Sequence, residues 1–308
     1  MAHSPRAPLT KPAWRRIPER GTALGIRIVV GLSALAGRAG AGVLLTMLAY
    51  YYTLMHRTAR LASRAYFERL GFAPTFASTV KHVRFFAQVS LDRLYFLRGR
   101  FEGFAIERHG HEHIMNLTKS KRGALLLGSH LGSFEAMRAV ALDFAVPLNI
   151  VADFKNAEHM NGVLAELAPG IGVRLIALDP RSPGSVLAIR DCIERGELVA
   201  ILGDRTSPSD ARNVLVQFFG AEASLPGGPY LLAHVLKCPV YLVFCLYEEP
   251  NKYTLHCEPF AEEVRLDRKN RDASIREYAQ KYADRLEHYA KLAPYNWFNF
   301  FPFWTGEP

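Results

Sequence analysis

The chain has 308 residues, of which 49% are hydrophobic and 22% are charged. This composition is typical of a folded globular protein and excludes disorder or low complexity as its main state. Four cysteines are scattered without a CxxC pair, so we interpret them as small apolar residues in a reducing compartment rather than as disulfides or metal ligands.

Charge is divided unevenly along the chain. The net charge is +9, yet residues 1–122 carry 20 basic and 6 acidic side chains, whereas residues 123–308 carry 18 and 23. The first part is therefore expected to face a polyanion such as phospholipid headgroups or nucleic acid. Its basic residues alternate with long apolar runs and accompany no nucleic-acid recognition motif, so we expect lipid and no nucleic acid.

An apolar stretch, Gly21–Met55, follows basic residues near the N-terminus and is interrupted by Arg27 and Arg38. Ala39–Met55 has 17 residues, which is the lower limit for a membrane-spanning helix. A longer span would place Arg38 near the middle of the bilayer at a cost of roughly 2.5–3.5 kcal/mol. A marginal anchor, a hairpin that dips into the bilayer and an interfacial helix all fit, and an ordinary buried helix pair is the alternative. We find no signal-peptide cleavage pattern and predict that this segment attaches the protein to a membrane.

Residues 56–105 have the apolar periodicity of two helices, separated by Gly71 and Pro74. From about Phe104, short apolar runs typical of buried strands alternate with helical patterns. The predicted strands are Ala124–Gly128, Leu148–Val151, Val173–Leu178, Leu198–Leu202, Val240–Leu246 and Tyr253–Cys257. The predicted helices are Glu135–Phe144, Ala157–Leu167, Ser185–Arg195, Pro229–Leu236 and Ser274–Lys291, the last with Ser274 as its N-cap.

This alternation predicts an α/β fold, with a mixed, mostly parallel sheet flanked by helices. The chain accordingly divides into two parts. Residues 1–105 form a basic, apolar, helical membrane-associated segment, and residues 106–308 form the α/β domain.

A polar turn follows the first predicted strand and reads Gly128-Ser-His-Leu-Gly-Ser-Phe-Glu135. His130 would lie at the carboxyl end of the strand, where open α/β sheets bind ligands. Glu135 could hydrogen-bond one imidazole nitrogen and leave the other free to accept a proton from an alcohol. No GxSxG elbow and no cysteine accompanies this histidine, which favours direct attack by a substrate hydroxyl over an acyl-enzyme. The alternative is a packed turn histidine with Glu135 as a helix cap.

A second polar cluster, Leu202-Gly-Asp-Arg-Thr206, follows the strand Leu198–Leu202. Gly203 permits a tight turn, and Arg205 could bind a phosphate bidentately at the sheet edge that holds His130. Asp204 could orient Arg205 or the substrate, and a surface ion pair is the alternative. The predicted substrate contacts are Ser129, Gly132, Ser133, Gly203, Asp204 and Arg205, with nearby backbone N–H groups stabilising an oxyanion.

Two further features suggest other functions. His109-Gly-His-Glu-His113 resembles a metal cluster, but a helix would point His111 away from the other two histidines and a strand would spread all three apart, so we expect no metal there. The aromatic segment from Pro294 to Trp304 predicts a packing plug or a membrane-interface belt.

The turn at His130 and Glu135 resembles the HX4(D/E) motif of the lysophospholipid acyltransferase superfamily. Over roughly residues 14–304, the chain resembles the bacterial lipid A late acyltransferase (lauroyl/myristoyl transferase) family. The matching segments are Glu107 with Gly110-His-Glu-His113, Gly203-Asp-Arg205, Val216-Gln-Phe-Phe-Gly220, Pro226-Gly-Gly-Pro229, Pro239-Val and Pro294-Tyr-Asn-Trp297. Members that act on lipid A have Asp-Gln in place of Asp204-Arg205, and they end in Trp-x-Trp-x-His where this chain has Trp297-Phe-Asn.

The resemblance implies an acyltransferase on the cytoplasmic face of the inner membrane. A lipid hydroxyl would attack an acyl thioester, carried by acyl carrier protein or coenzyme A, with His130 as general base and Glu135 orienting it. No metal or redox cofactor is implied. The expected acceptor is a lipid A-type glycolipid, and the alternatives are an aryl polyene lipid, a glycerophospholipid or an amino-acid lipid. The alternative from a different class is an inactive lipid-binding membrane protein.

Overall fold

A seven-stranded sheet lies at the centre of the computed structural model, which describes residues 23–136, 147–153, 173–178, 183–206 and 213–306. The strands are β1 (Ala105–His109), β2 (Ala124–Gly128), β3 (Leu148–Asp153), β4 (Val173–Leu178), β5 (Leu198–Leu202), β6 (Asn213–Phe218), β7 (Ala221–Pro226), β8 (Val240–Glu248) and β9 (Lys252–Ala261). The helices are α1 (Ala23–Met55), α2 (Arg57–Arg69), α3 (Phe76–Leu97), α4 (His111–Lys119), α5 (Pro183–Glu194), α6 (Gly228–Leu236) and α7 (Arg271–Leu292).

The strand order of the large sheet is β1-β9-β8-β2-β5-β3-β4. Neighbouring strands are parallel except β8 and β9, which are antiparallel. All five residues of β2 are buried, because helices cover both faces of the sheet and leave no side of this strand in water. The predicted α/β fold with a mixed, mostly parallel sheet is therefore confirmed.

Every predicted strand is present, and the predicted helices within the described residues are also found. Most of Glu135–Phe144 and all of Ala157–Leu167 lie outside the described residues. The predicted N-cap of the last helix is wrong, because the helix begins at Arg271 with Asn270 as its N-cap. The strand β1 and the antiparallel hairpin β6–β7 were not predicted.

The first helix packs on α3 through one narrow face. Ala41, Leu45 and Ala49 are spaced by four residues and are buried between the two helices. The Arg38 guanidinium donates from Nε and Nη2 to the two carboxylate oxygens of Asp92, at 2.7 Å each. Asp92 is fully buried on α3, so this pair ties α1 to the rest of the protein.

Arg38 is thus bound to a protein carboxylate. The sequence alone suggested that Arg38 could be an uncompensated charge in a bilayer. In the structure, its charge is paired with Asp92. Within the described part of the chain, none of the helices combines the length and hydropathy that crossing a membrane requires.

Candidate active site

The pairing of β2 with β5 brings two polar turns together. The two strands are parallel, and Gly128 at the end of β2 is opposite Leu202 at the end of β5. His130 and Asp204 each follow two residues after these positions. Because parallel strands end at the same edge of a sheet, equal offsets place the two side chains next to each other.

His130 and Asp204 form a hydrogen-bonded dyad. Nδ1 of His130 lies 2.8 Å from Oδ1 of Asp204, and the backbone N–H of His130 also donates to both carboxylate oxygens at 3.1 Å. Asp204 is completely buried, whereas 29% of the His130 side chain is exposed. The carboxylate is therefore shielded, and the imidazole still reaches the surface.

The electrostatic environment fixes the protonation state of this dyad. Burial lowers the pKa of His130 and the nearby Arg205 charge lowers it further, although Asp204 and, more weakly, Glu135 raise it. Burial alone would raise the pKa of Asp204, but His130 and Arg205 hold it below its ordinary value. At neutral pH the dyad is thus a neutral imidazole beside an ionised carboxylate.

This state determines which imidazole nitrogen can act as a base. An ionised carboxylate only accepts hydrogen bonds, so Nδ1 of His130 carries the proton and donates to Asp204. Nε2 then presents a lone pair, and no described residue hydrogen-bonds to it. A neutral imidazole held in this tautomer can accept a proton from a substrate hydroxyl at Nε2.

Glu135, the predicted orienting carboxylate, has a different partner. Its Oε1 accepts from Nε of Arg93 on α3 at 2.8 Å, and 14% of its side chain is exposed. The expected hydrogen bond from the imidazole goes to Asp204 instead, which sequence analysis had assigned to substrate binding. Glu135 acts on His130 here only as a nearby negative charge.

Gly132 is required by a close backbone approach, whereas Gly203 lies close to a buried side chain. Gly132 has a φ of +71°, and a Cβ there would lie 1.8 Å from the carbonyl oxygen of Cys245. A Cβ on Gly203 would lie 2.7 Å from a methyl group of Leu127. Both glycines therefore shape the turns that hold the dyad.

Three backbone amides among the predicted substrate contacts are already hydrogen-bonded within the protein. The N–H groups of Gly132, Ser133 and Gly203 donate to the carbonyl groups of Asn296, Cys245 and Gly128, at 2.8, 2.8 and 2.9 Å. The Ser133 hydroxyl accepts from the N–H of Ala136, and the Ser129 side chain is buried. Substrate contact by these residues stays a prediction, and an oxyanion contact from the three amides would compete with these bonds.

Arg205 binds the chain's own C-terminal segment, which we define as residues 295–299. Its Nε donates to Oδ1 of Asn299 at 2.7 Å and its Nη2 to the carbonyl of Phe298 at 2.8 Å. The bidentate geometry expected for a phosphate is thus formed with a side-chain amide and a backbone carbonyl. The role of Arg205 as a phosphate ligand stays a prediction.

The C-terminal segment also holds the His130 turn. Phe298 donates its N–H to the carbonyl of His130 at 2.9 Å, and Leu131 pairs with Trp297 in an antiparallel bridge. The Asn299 amide donates from Nδ2 to Oδ2 of Asp204 at 3.0 Å. The aromatic tail therefore packs against the candidate site itself, which the sequence did not indicate.

A buried histidine anchors the same segment from the helical side. Nε2 of His82 lies 2.9 Å from the carbonyl of Trp297, and its Nδ1 lies 2.9 Å from the hydroxyl of Ser63. Burial lowers the pKa of His82 to about 4, so its ring is neutral at pH 7 and donates from Nε2 to the carbonyl. Helices α2 and α3 thereby fix the position of the segment that holds His130.

The histidine run at residues 109–113 is divided between two elements. His109 ends β1, where its ring stacks on His256 with centroids 5.1 Å apart, while His111 and His113 lie on α4. Within the described ranges, no three histidine, cysteine, aspartate or glutamate side chains are grouped as metal ligands would be.

Large apolar side chains are exposed on α1 and on α3. Met47, Tyr51 and Leu54 lie on the face of α1 opposite α3 and are 56–64% exposed. The Tyr50 ring contacts Phe76 at the start of α3, and Phe86, further along α3, is 44% exposed and touches Phe298. Large exposed apolar patches of this kind mark surfaces that bind protein or membrane.

Comparison with known proteins finds one family model that matches most of the chain. The model described as bacterial lipid A biosynthesis acyltransferase matches residues 92–305, which is more than two thirds of the sequence. This range includes His130, Asp204 and the C-terminal segment, but not α1 or α2. The chain has no match among curated proteins.

Proposed function

The chain belongs to the bacterial lipid A biosynthesis acyltransferase family, and on this premise we propose that it transfers a fatty acyl group from an acyl thioester to a hydroxyl of a membrane lipid. Its members are acyltransferases, and family membership by itself supports acyl transfer to a lipid acceptor. The observation that carries the specific chemistry is the His130–Asp204 dyad, in which a neutral imidazole presents Nε2 at the sheet edge.

The proposed reaction is a direct displacement. The acceptor hydroxyl oxygen attacks the thioester carbonyl carbon as Nε2 of His130 takes the hydroxyl proton. The resulting tetrahedral oxyanion collapses, the carbon–sulfur bond breaks, and the departing thiolate receives the proton from His130. The products are an ester and the free thiol of acyl carrier protein or coenzyme A, so no metal or redox cofactor is needed.

Asp204 stabilises the imidazolium that exists between the two proton transfers. Its carboxylate is buried and close to Nδ1, so its charge acts through a medium of low dielectric. Its hydrogen bond also keeps the imidazole in the tautomer with a basic Nε2. We assign general-base catalysis to His130 and orientation of the base to Asp204, with Glu135 contributing a weaker electrostatic effect.

The proposed location is the cytoplasmic face of the inner membrane. The exposed apolar residues of α1 are followed directly in the chain by the basic residues Arg57, Arg60 and Arg64. Apolar side chains beside basic ones suit a surface of anionic lipid. Phe86 is exposed on α3 and contacts the buried ring of Phe298, whose backbone N–H donates to the carbonyl of His130, so an exposed apolar side chain lies two contacts from the proposed base.

Replacing Met47, Tyr51 and Leu54 together by aspartate should release the protein from membranes. Each large apolar side chain contributes about 1.5–3 kcal/mol when fully buried, so we expect membrane partitioning to fall by more than about 100-fold. The buried face of α1 is untouched, so the helix should still pack on α3. Flotation with vesicles containing anionic lipid measures the effect.

A matched control replaces Leu187, Leu215 and Val235 by aspartate. These side chains are 44–60% exposed and lie on elements other than α1. Both triple variants introduce three negative charges, but only the first changes α1. We expect the control to stay bound. Equal binding of both triple variants would show that the attachment surface lies elsewhere.

The proposed transfer is tested with purified protein in mixed micelles. Long-chain acyl-acyl carrier protein and acyl-coenzyme A are each offered with a lipid A precursor, a lysoglycerophospholipid or no acceptor, while thiol release and product mass are followed. Acceptor-dependent thiol release, with a product heavier than the acceptor by one fatty acid less water, is expected for at least one pair. Mass spectrometry of total lipids from a deletion strain identifies the native acceptor by its missing acyl chain.

Absence of transfer from both donors, with no lipid missing an acyl chain in the deletion strain, would contradict the proposal. Lipid binding without transfer would instead favour a lipid-binding protein. Transfer to the lysoglycerophospholipid alone would retain the chemistry and change the acceptor class.

A further inference from the structure

Asn299 lies between the side chains of Asp204 and Arg205. Its Nδ2 donates to Oδ2 of Asp204 at 3.0 Å, and its Oδ1 accepts from Nε of Arg205 at 2.7 Å. The side chain is 2% exposed. A carboxylate only accepts and a guanidinium only donates, so the amide is held in one orientation.

The two carboxylate oxygens of Asp204 have different side-chain partners. Oδ1 faces the imidazole of His130, and Oδ2 faces the amide of Asn299. A buried carboxylate needs donors on both oxygens, since an unsatisfied charge is costly away from water. Without Asn299, Oδ2 would keep only the backbone N–H of His130 at 3.1 Å.

Arg205 is the group that would compete for this carboxylate. It neighbours Asp204 in the chain, its charge already acts on Asp204, and its Nε is occupied by the Asn299 oxygen. If that oxygen were absent, the freed guanidinium could pair with Asp204 directly. A direct pair would neutralise the carboxylate on which the imidazole depends.

We propose that Asn299 is a positioning residue for acyl transfer, which holds the Asp204 carboxylate on His130 and keeps Arg205 from pairing with it. This inference rests on the proposed function, because it concerns the same dyad. It also gives the C-terminal segment a chemical role in addition to packing. Asn299 itself touches neither reacting atom.

Asn299→Ala should lower kcat by about 10–100-fold with little change in KM, since a hydrogen bond to a charged group and the carboxylate position are lost together. The pH profile provides a second readout. Among the residues that the structure describes, the charged groups acting on His130 are Asp204, Arg205 and Glu135, with Glu135 paired to Arg93. When Arg205 neutralises Asp204, the imidazolium is less stable, so the acidic limb of the kcat profile should move to lower pH.

Asn299→Asp should move the acidic limb in the opposite direction. Its carboxylate faces Oδ2 of Asp204 without a donor, while Arg205, which still donates to it, favours its ionised form. The added negative charge near His130 favours the imidazolium. As the pH falls, Nε2 therefore becomes protonated, and activity is lost, at a higher pH than in the wild type. This variant keeps the size of the side chain, and it provides a test even if the alanine variant folds poorly.

Asn296→Ala is the matched control in the same segment. Asn296 is 1% exposed, and its side chain bonds the backbone N–H and carbonyl of Tyr247, at 2.7 and 3.0 Å. Losing these two hydrogen bonds should lower thermal stability and leave the acidic limb of the kcat profile unchanged. If Asn299→Ala behaves in the same way, or if neither Asn299 variant moves the limb, Asn299 has only a packing role.

The His130 and Asp204 variants separate this inference from the function on which it rests. If both retain wild-type transfer, the proposed dyad fails whatever the Asn299 variants do. If both are inactive while Asn299→Ala has the wild-type rate and pH profile, only the positioning role is overturned.

Discussion

His130→Ala is expected to lower acyl transfer by about 10²–10⁴-fold, because the reaction loses its general base. The side chain lies in a turn and is partly exposed, so the fold should tolerate its removal. Initial rates of thiol release and of ester formation, measured with saturating donor and acceptor, report the loss. Circular dichroism and thermal unfolding check that the variant is folded.

His234→Ala serves as the control for this variant. His234 is half-buried on α6, and its Nδ1 lies 3.1 Å from the carbonyl oxygen of Val264 and 3.4 Å from the backbone nitrogen of Leu266, neither of which belongs to the candidate site. Its replacement should reduce activity only as far as stability falls. A folded His130→Ala protein with near wild-type transfer would show that another group is the base.

Asp204→Asn should produce a loss of similar size, about 10²–10⁴-fold in kcat. Asp204 accepts from the imidazole, from the backbone of His130 and from Asn299, whereas an amide offers one acceptor oxygen. The amide NH₂ group would face a donor, or the imidazole would adopt the other tautomer with its proton on Nε2. Either outcome disables proton transfer at Nε2, and the kcat of ester formation measures it.

Glu135→Gln is the companion experiment, because it tests the carboxylate that the sequence analysis assigned to His130. The structure pairs Glu135 with Arg93, so we expect a smaller loss than for Asp204→Asn. Removing the Glu135 charge should also move the acidic limb slightly to lower pH, since that charge favours the imidazolium. A larger loss for Glu135→Gln than for Asp204→Asn would return the orienting role to Glu135.

The helical N-terminal part and the α/β part cooperate at one site. His82 on α3 holds the carbonyl of Trp297, and the following residues hold both His130 and Asp204. Phe86, also on α3, is exposed and contacts the buried ring of Phe298 in the C-terminal segment. The proposed site and the exposed apolar residues therefore both involve helix α3, and we expect changes on α3 to affect acyl transfer and membrane partitioning together.

Local apolar pattern was sufficient to predict the main strands. The run Ala124–Gly128 is apolar at every position, and a strand buried on both faces requires such a run. The edge strand β1 was missed because Glu107 and Arg108 interrupt its apolar pattern. The pattern that predicted the last helix located its body, while Asn270 rather than Ser274 caps its start.

Partners distant in sequence were beyond the reach of local patterns. Arg38 was considered as a charge in a bilayer, yet it pairs with Asp92, 54 residues away. The pairing depends on how α1 packs against α3, which no local spacing encodes. The cost expected for an isolated charge in lipid therefore does not describe this residue, whose partner is buried in the protein.

By itself, the sequence determined the α/β class, the position of His130 at the end of a buried strand, and the family that its motifs resemble. Tertiary structure alone decided which carboxylate serves this histidine. Glu135 is near in sequence, but Asp204, 74 residues away, is brought to Nδ1 by the pairing of β2 with β5. Asn299 is a further 95 residues from Asp204 and carries no local signal. The physical reason is that a hydrogen bond depends on position and direction in space, and these follow from strand register and chain packing rather than from spacing along the chain.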